Sequence, residues 1–138
     1  MHRIMGIDYG DARVGVAVSD PLGITAQGVE TINNTSPEAL FSRLKILIEQ
    51  YRPGTIVIGY PKNMNGTCGE RAQKSEDFAR QLAAFYHGNI ELFDERLTTV
   101  SAIQVLNETN TRKKKRKAVV DTVAAAMILQ TYMDRHRT

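Results

Sequence analysis

The chain has 138 residues, 42% of them hydrophobic and 24% charged, as is typical of a globular domain with its own core. No apolar run approaches the roughly 18 residues of a membrane span, and acidic residues interrupt the N-terminus where a secretory signal needs its hydrophobic region. A single cysteine, Cys68, excludes an internal disulfide and fits a reducing compartment. We therefore expect one domain over residues 1–138, located in the cytoplasm.

Charge is unevenly distributed along the chain. Basic residues number 18 and acidic residues 15, a net of +3, and six of the basic residues are consecutive at positions 112–117. The remainder has 12 basic and 15 acidic residues and is mildly acidic. Such a block is usually a solvated, mobile segment, and it is also the usual form of a contact with a phosphate backbone. Lys113, Lys114 and Lys115 are therefore candidate nucleic-acid-binding residues.

Hydrophobic patterns in the first half predict three strands, a helix and a strand. Apolar runs at 3–9 and 13–19 predict a hairpin, and a third strand is predicted over 24–32. Ser36 as N-cap and Pro37 at the first helical position predict a helix that Pro53-Gly54 ends. The wholly apolar run 55–58 predicts a parallel strand buried on both faces.

The second half continues the alternation. It predicts a helix over 70–86, a strand over 90–93, a helix from Thr98 to about Leu106 and a last helix from about Ala118. Right-handed crossovers place the fourth and fifth strands on one side of the first and parallel to it. We therefore predict an α/β fold with a mixed five-stranded sheet and helices on both faces. The carboxyl ends of its three parallel strands share one edge.

Acidic residues from three segments are predicted to reach that edge. Asp8 closes the first strand, Asp94 and Glu95 close the fifth, and Asp121 lies early in the last helix. Each has an ordinary alternative: a turn aspartate, a pair with Arg96, or a favourable interaction with the helix dipole. Because like charges this close need a cation to hold them, we predict a metal site.

Magnesium suits such a site. It takes hard oxygen ligands and is usually completed by water and substrate phosphates, and Mn²⁺ is a possible substitute. Two such ions can activate water and stabilise the leaving oxygen in phosphodiester cleavage. The three histidines have no metal-ligand spacing, which argues against zinc.

Two further segments carry polar or basic residues near the same edge. Lys62 lies in an Asn- and Gly-rich loop after the fourth strand, and it could touch a nucleic-acid backbone or belong to a solvated turn. Arg71, Lys74 and Arg80 recur along the second helix, either as a phosphate-facing strip or as a solvated helix face.

The motifs, taken together and in order, resemble the YqgF/RuvX family of pre-16S rRNA nucleases, also described as Holliday-junction-resolvase-like proteins. The resemblance covers essentially the whole chain. The matching pieces are Gly6-Ile7-Asp8-Tyr9-Gly10, the run from Arg13 to Asp20, Ile58-Gly59-Tyr60-Pro61, Met64-Asn65-Gly66-Thr67, Arg71-Ala72, the run from Asp94 to Thr99, and Asp121 followed by Ala124-Ala125 and Ile128-Leu129-Gln130.

This resemblance implies a ribonuclease-H-like fold, a bacterial cytoplasmic location and a role in maturing the ends of ribosomal RNA precursors. It implies that Asp8, Glu95 and Asp121 form the catalytic, metal-binding set. It also gives Arg13, Asn65 and Arg96 supporting roles with the nucleic acid.

Three alternatives stay open. The set has three carboxylates where junction resolvases of the wider fold often have four, which weakens a Holliday-junction-resolvase interpretation without removing it. A non-catalytic nucleic-acid-binding module would account for the basic block but not for the carboxylates. Asp8-Tyr9-Gly10 before a hairpin also resembles the phosphate-binding turn of actin-like ATPases, which need two such domains. We expect a monomer or weak homodimer, with Tyr132 and Met133 either in the core or at a dimer contact.

Overall fold

The computed structural model describes residues 2–61, 69–98 and 114–136, with side chains from residue 122 onward in the last segment. Its elements, in chain order, are β1 (Arg3–Tyr9), β2 (Arg13–Ser19), β3 (Ala26–Asn33), α1 (Pro37–Tyr51), β4 (Pro53–Tyr60), α2 (Glu70–Ala83), β5 (Asn89–Asp94), a 3-10 turn (Glu95–Leu97) and α3 (Lys114–Arg135).

The five strands form a single mixed sheet in the order β3-β2-β1-β4-β5. The pairs β1–β2 and β2–β3 are antiparallel, whereas β1–β4 and β4–β5 are parallel. This topology confirms the predicted α/β fold with a five-stranded sheet. It also brings the carboxyl ends of β1, β4 and β5 to one edge.

Side-chain and backbone caps set several element ends differently from the hydrophobic pattern. The third strand begins at Ala26 rather than at residue 24, because the Asp20 carboxylate accepts hydrogen bonds from the N–H groups of Ile24 and Thr25. The first helix ends on Arg52, which takes the left-handed conformation at φ 48° and frees Pro53 to begin β4. Ser36 is its N-cap, as predicted.

The helix bounds in the second half also differ from the pattern. The helix α2 ends at Ala83 rather than at Tyr86, although Tyr86 stays buried and its hydroxyl donates to the Pro53 carbonyl at 2.8 Å. The last helix begins at Lys114 rather than near Ala118, so part of the basic block is helical. The helix predicted from Thr98 to about Leu106 lies outside the described residues after position 98.

Two hydrophobic clusters cover the two faces of the sheet. The face under α1 and α2 carries the larger one, which includes Met5, Ile7, Val14, Val16, Leu44, Ile58, Phe78 and Leu82. The opposite face, under α3, carries Ala17, Val57, Phe93, Ala124, Ala125, Ile128, Leu129, Tyr132 and Met133. Tyr132 and Met133 therefore belong to the core. Val123, on the same helix, is 41% exposed.

Small residues let α3 lie close to the sheet. A Cβ on Gly6 would lie 2.7 Å from the Leu129 Cβ and 3.0 Å from the Ala125 carbonyl oxygen, so no larger residue fits at position 6 without moving the helix. Ala124 and Ala125, both buried, lie on the helix face that makes this close approach. The consequence is that side chains on this face of β1 project into the interface with α3.

The side-chain amide of Gln130 pairs with the backbone at the start of β3. Its oxygen accepts from the Ala26 N–H and its nitrogen donates to the Ile24 carbonyl, each at 2.9 Å. This fastens α3 to the outer edge of the sheet. Among the described residues, no helix combines the length and the apolar character needed to cross a membrane.

Candidate active site

The candidate site lies where β1, β4 and β5 end. Ile7 pairs with Ile58 and Tyr60 pairs with Asp94, so the last residues of the three strands are level with one another. Asp8 is the penultimate residue of β1, and Glu95 directly follows β5. Alternation along β1 directs the Asp8 side chain to the α3 face. Glu95 lies on the same face, because a Cβ on Gly59 would meet both the Glu95 carboxyl and Ile128 of α3.

The carboxyl groups of Asp8 and Glu95 lie within hydrogen-bonding reach of each other, and this contact lowers the pKa of Glu95. A hydrogen bond between two carboxyl groups requires a proton on one of them. Only 7% of Asp8 and 3% of Glu95 are exposed to solvent. Burial raises the pKa of Glu95, and the nearby Arg71 guanidinium opposes that shift. Two buried acids this close would be stabilised by a nearby cation.

Gly59 makes this contact possible. It lies on β4, between the strands that carry Asp8 and Glu95. A Cβ at position 59 would lie 2.7 Å from the Glu95 Oε1 and 2.6 Å from the Ile128 Cδ1. Glu95 therefore reaches back across β4 through space that any other residue would fill. The apolar run 55–58 predicts a strand that ends before Gly59, so the only sign of this role in the sequence is a glycine next to a buried strand.

Asp94, the neighbour of Glu95, is engaged elsewhere. Its carboxylate accepts from the Arg96 backbone N–H at 2.9 Å and pairs with the Arg96 guanidinium at 2.7 Å. The 3-10 turn directs the two adjacent acids differently: Asp94 caps the turn, and Glu95 points inward. The pair of Asp94 with Arg96 that the sequence offered as an alternative is therefore present.

Other predicted site residues are placed less closely. Arg71 lies in the first turn of α2 and acts on Glu95, while Arg13 begins β2. Asp121 lies in α3, one turn before Ala125 in the small-residue stretch, and its side chain is outside the description. The side chains of Lys114 and Lys115 are likewise outside it, as are residues Lys62, Asn65 and Lys113 altogether.

Within the part of the chain whose side chains are described, no three His, Cys, Asp or Glu side chains cluster tightly enough to hold a metal ion. The described part of the site contributes two acids, Asp8 and Glu95. Both supply the hard oxygen donors that magnesium prefers, and the cradle at Gly59 leaves space for both. The donor chemistry of these two acids thus fits a divalent cation.

Asn34, which lies outside every sequence motif named above, holds the turn that follows Asp8 in place. Its side-chain nitrogen donates to the Gly10 carbonyl at 3.0 Å, and its backbone N–H donates to the Ala12 carbonyl at 2.9 Å. A Cβ on Gly10 would lie 2.6 Å from the Arg13 carbonyl oxygen, so the tight turn needs a glycine. These contacts fix the direction in which β1 ends.

A family model and individual relatives place the chain in the same family of nucleases. A family model described as "RuvX: Holliday junction resolvase" matches residues 2–135. The chain is 50% identical over 134 residues to a protein of Ruminiclostridium cellulolyticum named "Putative pre-16S rRNA nuclease", covering 96% of this chain and 94% of that one. It is 47% identical over 137 residues to a protein of the same name from Geobacillus kaustophilus, with 98% and 99% covered.

Solved structures support the fold. The chain matches T. thermophilus RuvC in complex with a Holliday junction substrate with a TM-score of 0.61, at 13% identity, covering 98% of this chain and 96% of that one. It matches the yeast mitochondrial Holliday junction resolvase with a TM-score of 0.55, at 11% identity, covering 96% and 78%. At these identities the likeness concerns the ribonuclease-H-like fold, which is the one predicted.

The raised pKa of Glu95 gives a testable dependence of stability on pH. The contribution of Glu95 to the free energy of unfolding is fully present below the pKa of an unfolded glutamate, about 4.3. It is lost as pH rises through the pKa of Glu95 in the folded protein, because the buried carboxyl group must then ionise. In EDTA, Glu95→Gln should therefore be more stable than the wild type at pH 7, and the difference should shrink as pH falls toward about 4.5. Urea denaturation at several pH values measures it.

The matched control is Glu49→Gln, which changes an exposed glutamate on α1. It should track the wild type at every pH. A Glu95→Gln protein that is less stable than the wild type at pH 7 in EDTA would contradict this account of the acid pair.

Proposed function

Because this chain belongs to the RuvX family, it is a nuclease that hydrolyses phosphodiester bonds, and we propose that it cuts precursor ribosomal RNA near its ends with divalent metal ions. The relatives named for pre-16S rRNA support this substrate. We further propose that residues 1–138 act as one cytoplasmic nuclease domain.

The observation that carries the proposal is the buried contact of Asp8 with Glu95 across Gly59. A hydrophobic core gains nothing from two acids with only 7% and 3% exposure, since each must lose its hydration. Their position at the common end of three parallel strands is where α/β sheets bind ligands. A catalytic role explains why the protein buries these two acids although their desolvation destabilises the fold.

Asp8, Glu95 and Asp121 would hold the metal, with Mg²⁺ preferred and Mn²⁺ an alternative. When bound, such ions activate water and stabilise the leaving oxygen of an in-line displacement. Asp8 is held by β1 and its braced turn, and Glu95 by the 3-10 turn and the space at Gly59. These supports keep the two oxygens in place before any ion arrives.

Basic and amide side chains around the acids would position the nucleic acid. Arg71 is near enough to Glu95 to affect its charge, so it can balance the acids and face a phosphate. Arg96 is fixed by Asp94 beside the same edge. Arg13, Lys62 and Asn65 complete the proposed contacts on neighbouring segments.

A second candidate is cleavage of branched DNA, which the description of the family model favours. Cutting a junction symmetrically needs two active sites facing opposed strands, and therefore a dimer. Tyr132 and Met133 are buried against the sheet, so they do not supply a dimer contact. We therefore propose a monomer or weak homodimer that prefers RNA to four-way junctions.

The deciding experiment incubates pure protein with a precursor 16S rRNA fragment and with a four-way DNA junction, each with Mg²⁺, Mn²⁺ or EDTA. Sedimentation on the same sample gives the oligomeric state. We expect metal-dependent RNA cleavage by a monomer or weak dimer. A tight dimer making paired, symmetric nicks in the junction, with RNA left intact, would establish the second candidate instead.

Substitution of the acids tests the metal set. Asp8→Asn, Glu95→Gln and Asp121→Asn should each lower cleavage by at least about 100-fold, since losing a ligand forfeits several kcal/mol of stabilisation in the transition state. Asp94→Asn is the matched control because Asp94 adjoins Glu95 but pairs with Arg96. It should stay within about fivefold of the wild type. The reverse ranking of Asp94→Asn and Glu95→Gln would show that the wrong acid was chosen.

Gly59→Ala tests whether the Glu95 carboxyl needs the space that Gly59 leaves open. The added methyl group should displace the Glu95 carboxyl and lower cleavage by about 10- to 100-fold, the effect expected of a misplacement near 1 Å. Gly54→Ala is the control on the same strand: its Cβ would lie 2.7 Å from the His2 Cβ, at the far end of β4. Initial rates and urea denaturation of both variants should show comparable losses of stability and a loss of rate only at position 59.

The basic block offers a second nucleic-acid contact. Lys114 and Lys115 lie in the first turn of α3, a position where cations oppose the helix dipole. Anionic phosphates bound there would offset this unfavourable interaction. We therefore propose that Lys113, Lys114 and Lys115 bind the substrate backbone.

Replacing these three lysines with Gln should weaken binding to all sequences alike. The log–log salt dependence should flatten by up to about 0.7 to 0.9 for each phosphate that the protein no longer neutralises. A triple variant of exposed residues elsewhere, Lys45→Gln with Arg80→Gln and Arg135→Gln, removes the same charge and serves as control. Equal slopes in the two variants would mean that the block contributes only its net charge.

A further inference from the structure

A small polar cleft opens beside the acid pair. It has a volume of about 220 Å³ and is lined by Tyr9, Gly10, Asp11, Arg71 and Lys74. Tyr9 and Gly10 directly follow Asp8 in the chain, and Arg71 acts electrostatically on Glu95. The cleft therefore adjoins the proposed catalytic edge on the side of α2.

An ion pair occupies this cleft. The Lys74 Nζ lies 3.0 and 3.1 Å from the two carboxylate oxygens of Asp11, and 3.8 Å from a carboxylate oxygen of Glu70. Asp11 comes from the turn after β1, and Lys74 from α2, so the pair joins two elements. The hydrogen bond and charge of Asp11 raise the pKa of Lys74, which therefore stays cationic at neutral pH.

Lys74 can exchange its ion pair with Asp11 for a contact with another anion. The side chain of Asp11 is 71% exposed and that of Lys74 is 41% exposed, and an ion pair so open to water contributes little to stability. A phosphate oxygen presents the same charge and acceptor chemistry as a carboxylate oxygen. Lys74 can therefore give up Asp11 for a phosphate at small cost.

We propose that this cleft binds a backbone phosphate of the substrate strand next to the bond that is cut, and that Asp11 occupies the phosphate's place on Lys74 when no substrate is bound. The proposal rests on the nuclease function proposed above and adds Lys74 as a contact and Asp11 as an internal competitor. Arg71, on the same wall of the cleft, supplies the second positive charge.

The size of the cleft favours one group of a polymer over a whole small molecule. Pockets for small-molecule ligands usually exceed about 300 Å³, and this one is smaller and polar. The ring of Tyr9 packs against Phe78, with 4.7 Å between centroids, so it forms a fixed wall. A phosphate with part of its sugar fits such a site. The bound nucleic-acid strand would then continue past Asp8.

The test compares Asp11→Asn with Asp77→Asn. Asp77 is a half-exposed carboxylate on α2 that pairs with Arg80, so the control removes the same charge from the same side of the molecule. Binding of a labelled single-stranded RNA is measured by fluorescence anisotropy in EDTA, where metal-dependent hydrolysis cannot occur. Asp11→Asn should tighten binding by about two- to fivefold, and Asp77→Asn by less than about 1.5-fold.

A double variant separates competition from general charge. Lys74→Gln alone should weaken binding, and adding Asp11→Asn to it should give no further gain, because Asp11 acts through Lys74. Arg80→Gln serves as the control for Lys74→Gln. Equal gains from Asp11→Asn and Asp77→Asn, or a gain from Asp11→Asn that persists without Lys74, would overturn the proposal.

The identity of the bound group is tested with modified strands. Single-stranded DNA of the same sequence should show the same gain with Asp11→Asn, since the phosphate is common to both; a gain confined to RNA would point to the ribose and overturn the proposal. Neutral methylphosphonates placed one at a time should abolish the gain at one position, and a gain that survives at every position would contradict it. Because these measurements need no cleavage, they decide the cleft's role even if the wild type cuts neither substrate.

Discussion

Two buried acids, Asp8 on β1 and Glu95 just after β5, meet across β4 at a position where that strand has no side chain. Asp8 and Glu95 are separated by β4, and Gly59 is the residue that lets one reach the other. The contact removes two carboxyl groups from water, and a hydrogen bond between them offsets only part of that cost. The two hydrophobic clusters on the faces of the sheet stabilise the folded state, and this stabilisation offsets the remaining free-energy cost of burying the two acids.

Much of the fold follows from local pattern. The hairpin over 3–9 and 13–19 was predicted with its observed bounds, because apolar runs that short, bounded by Asp and Gly, leave little choice of structure. The errors lie at the ends of elements, where single contacts decide. Asp20 captures two backbone N–H groups that the pattern assigned to a strand, and Arg52 ends α1 by taking a positive φ. Neither contact is visible in hydrophobic periodicity.

The site was predictable in part. The end of each parallel strand could be recognised, so the proposed acids at Asp8 and at Asp94 or Glu95 followed from topology. The choice between the adjacent acids depends on a 3-10 turn of three residues, too short to leave a periodic pattern. The pairing of Asp11 with Lys74 joins residues 63 positions apart, and each has ordinary alternatives when taken alone. Long-range pairs between exposed side chains therefore need coordinates.

Gln130 has a consequence for how molecules of this protein meet one another. A strand at the border of a sheet offers unpaired N–H and C=O groups that a second chain can extend into a continuous intermolecular sheet. The Gln130 amide already occupies the donor of Ala26 and the acceptor of Ile24, so the beginning of β3 presents no free template at these two groups. The last helix therefore blocks extension of the sheet at these two groups. Detachment of α3 would free both groups for pairing with a second chain.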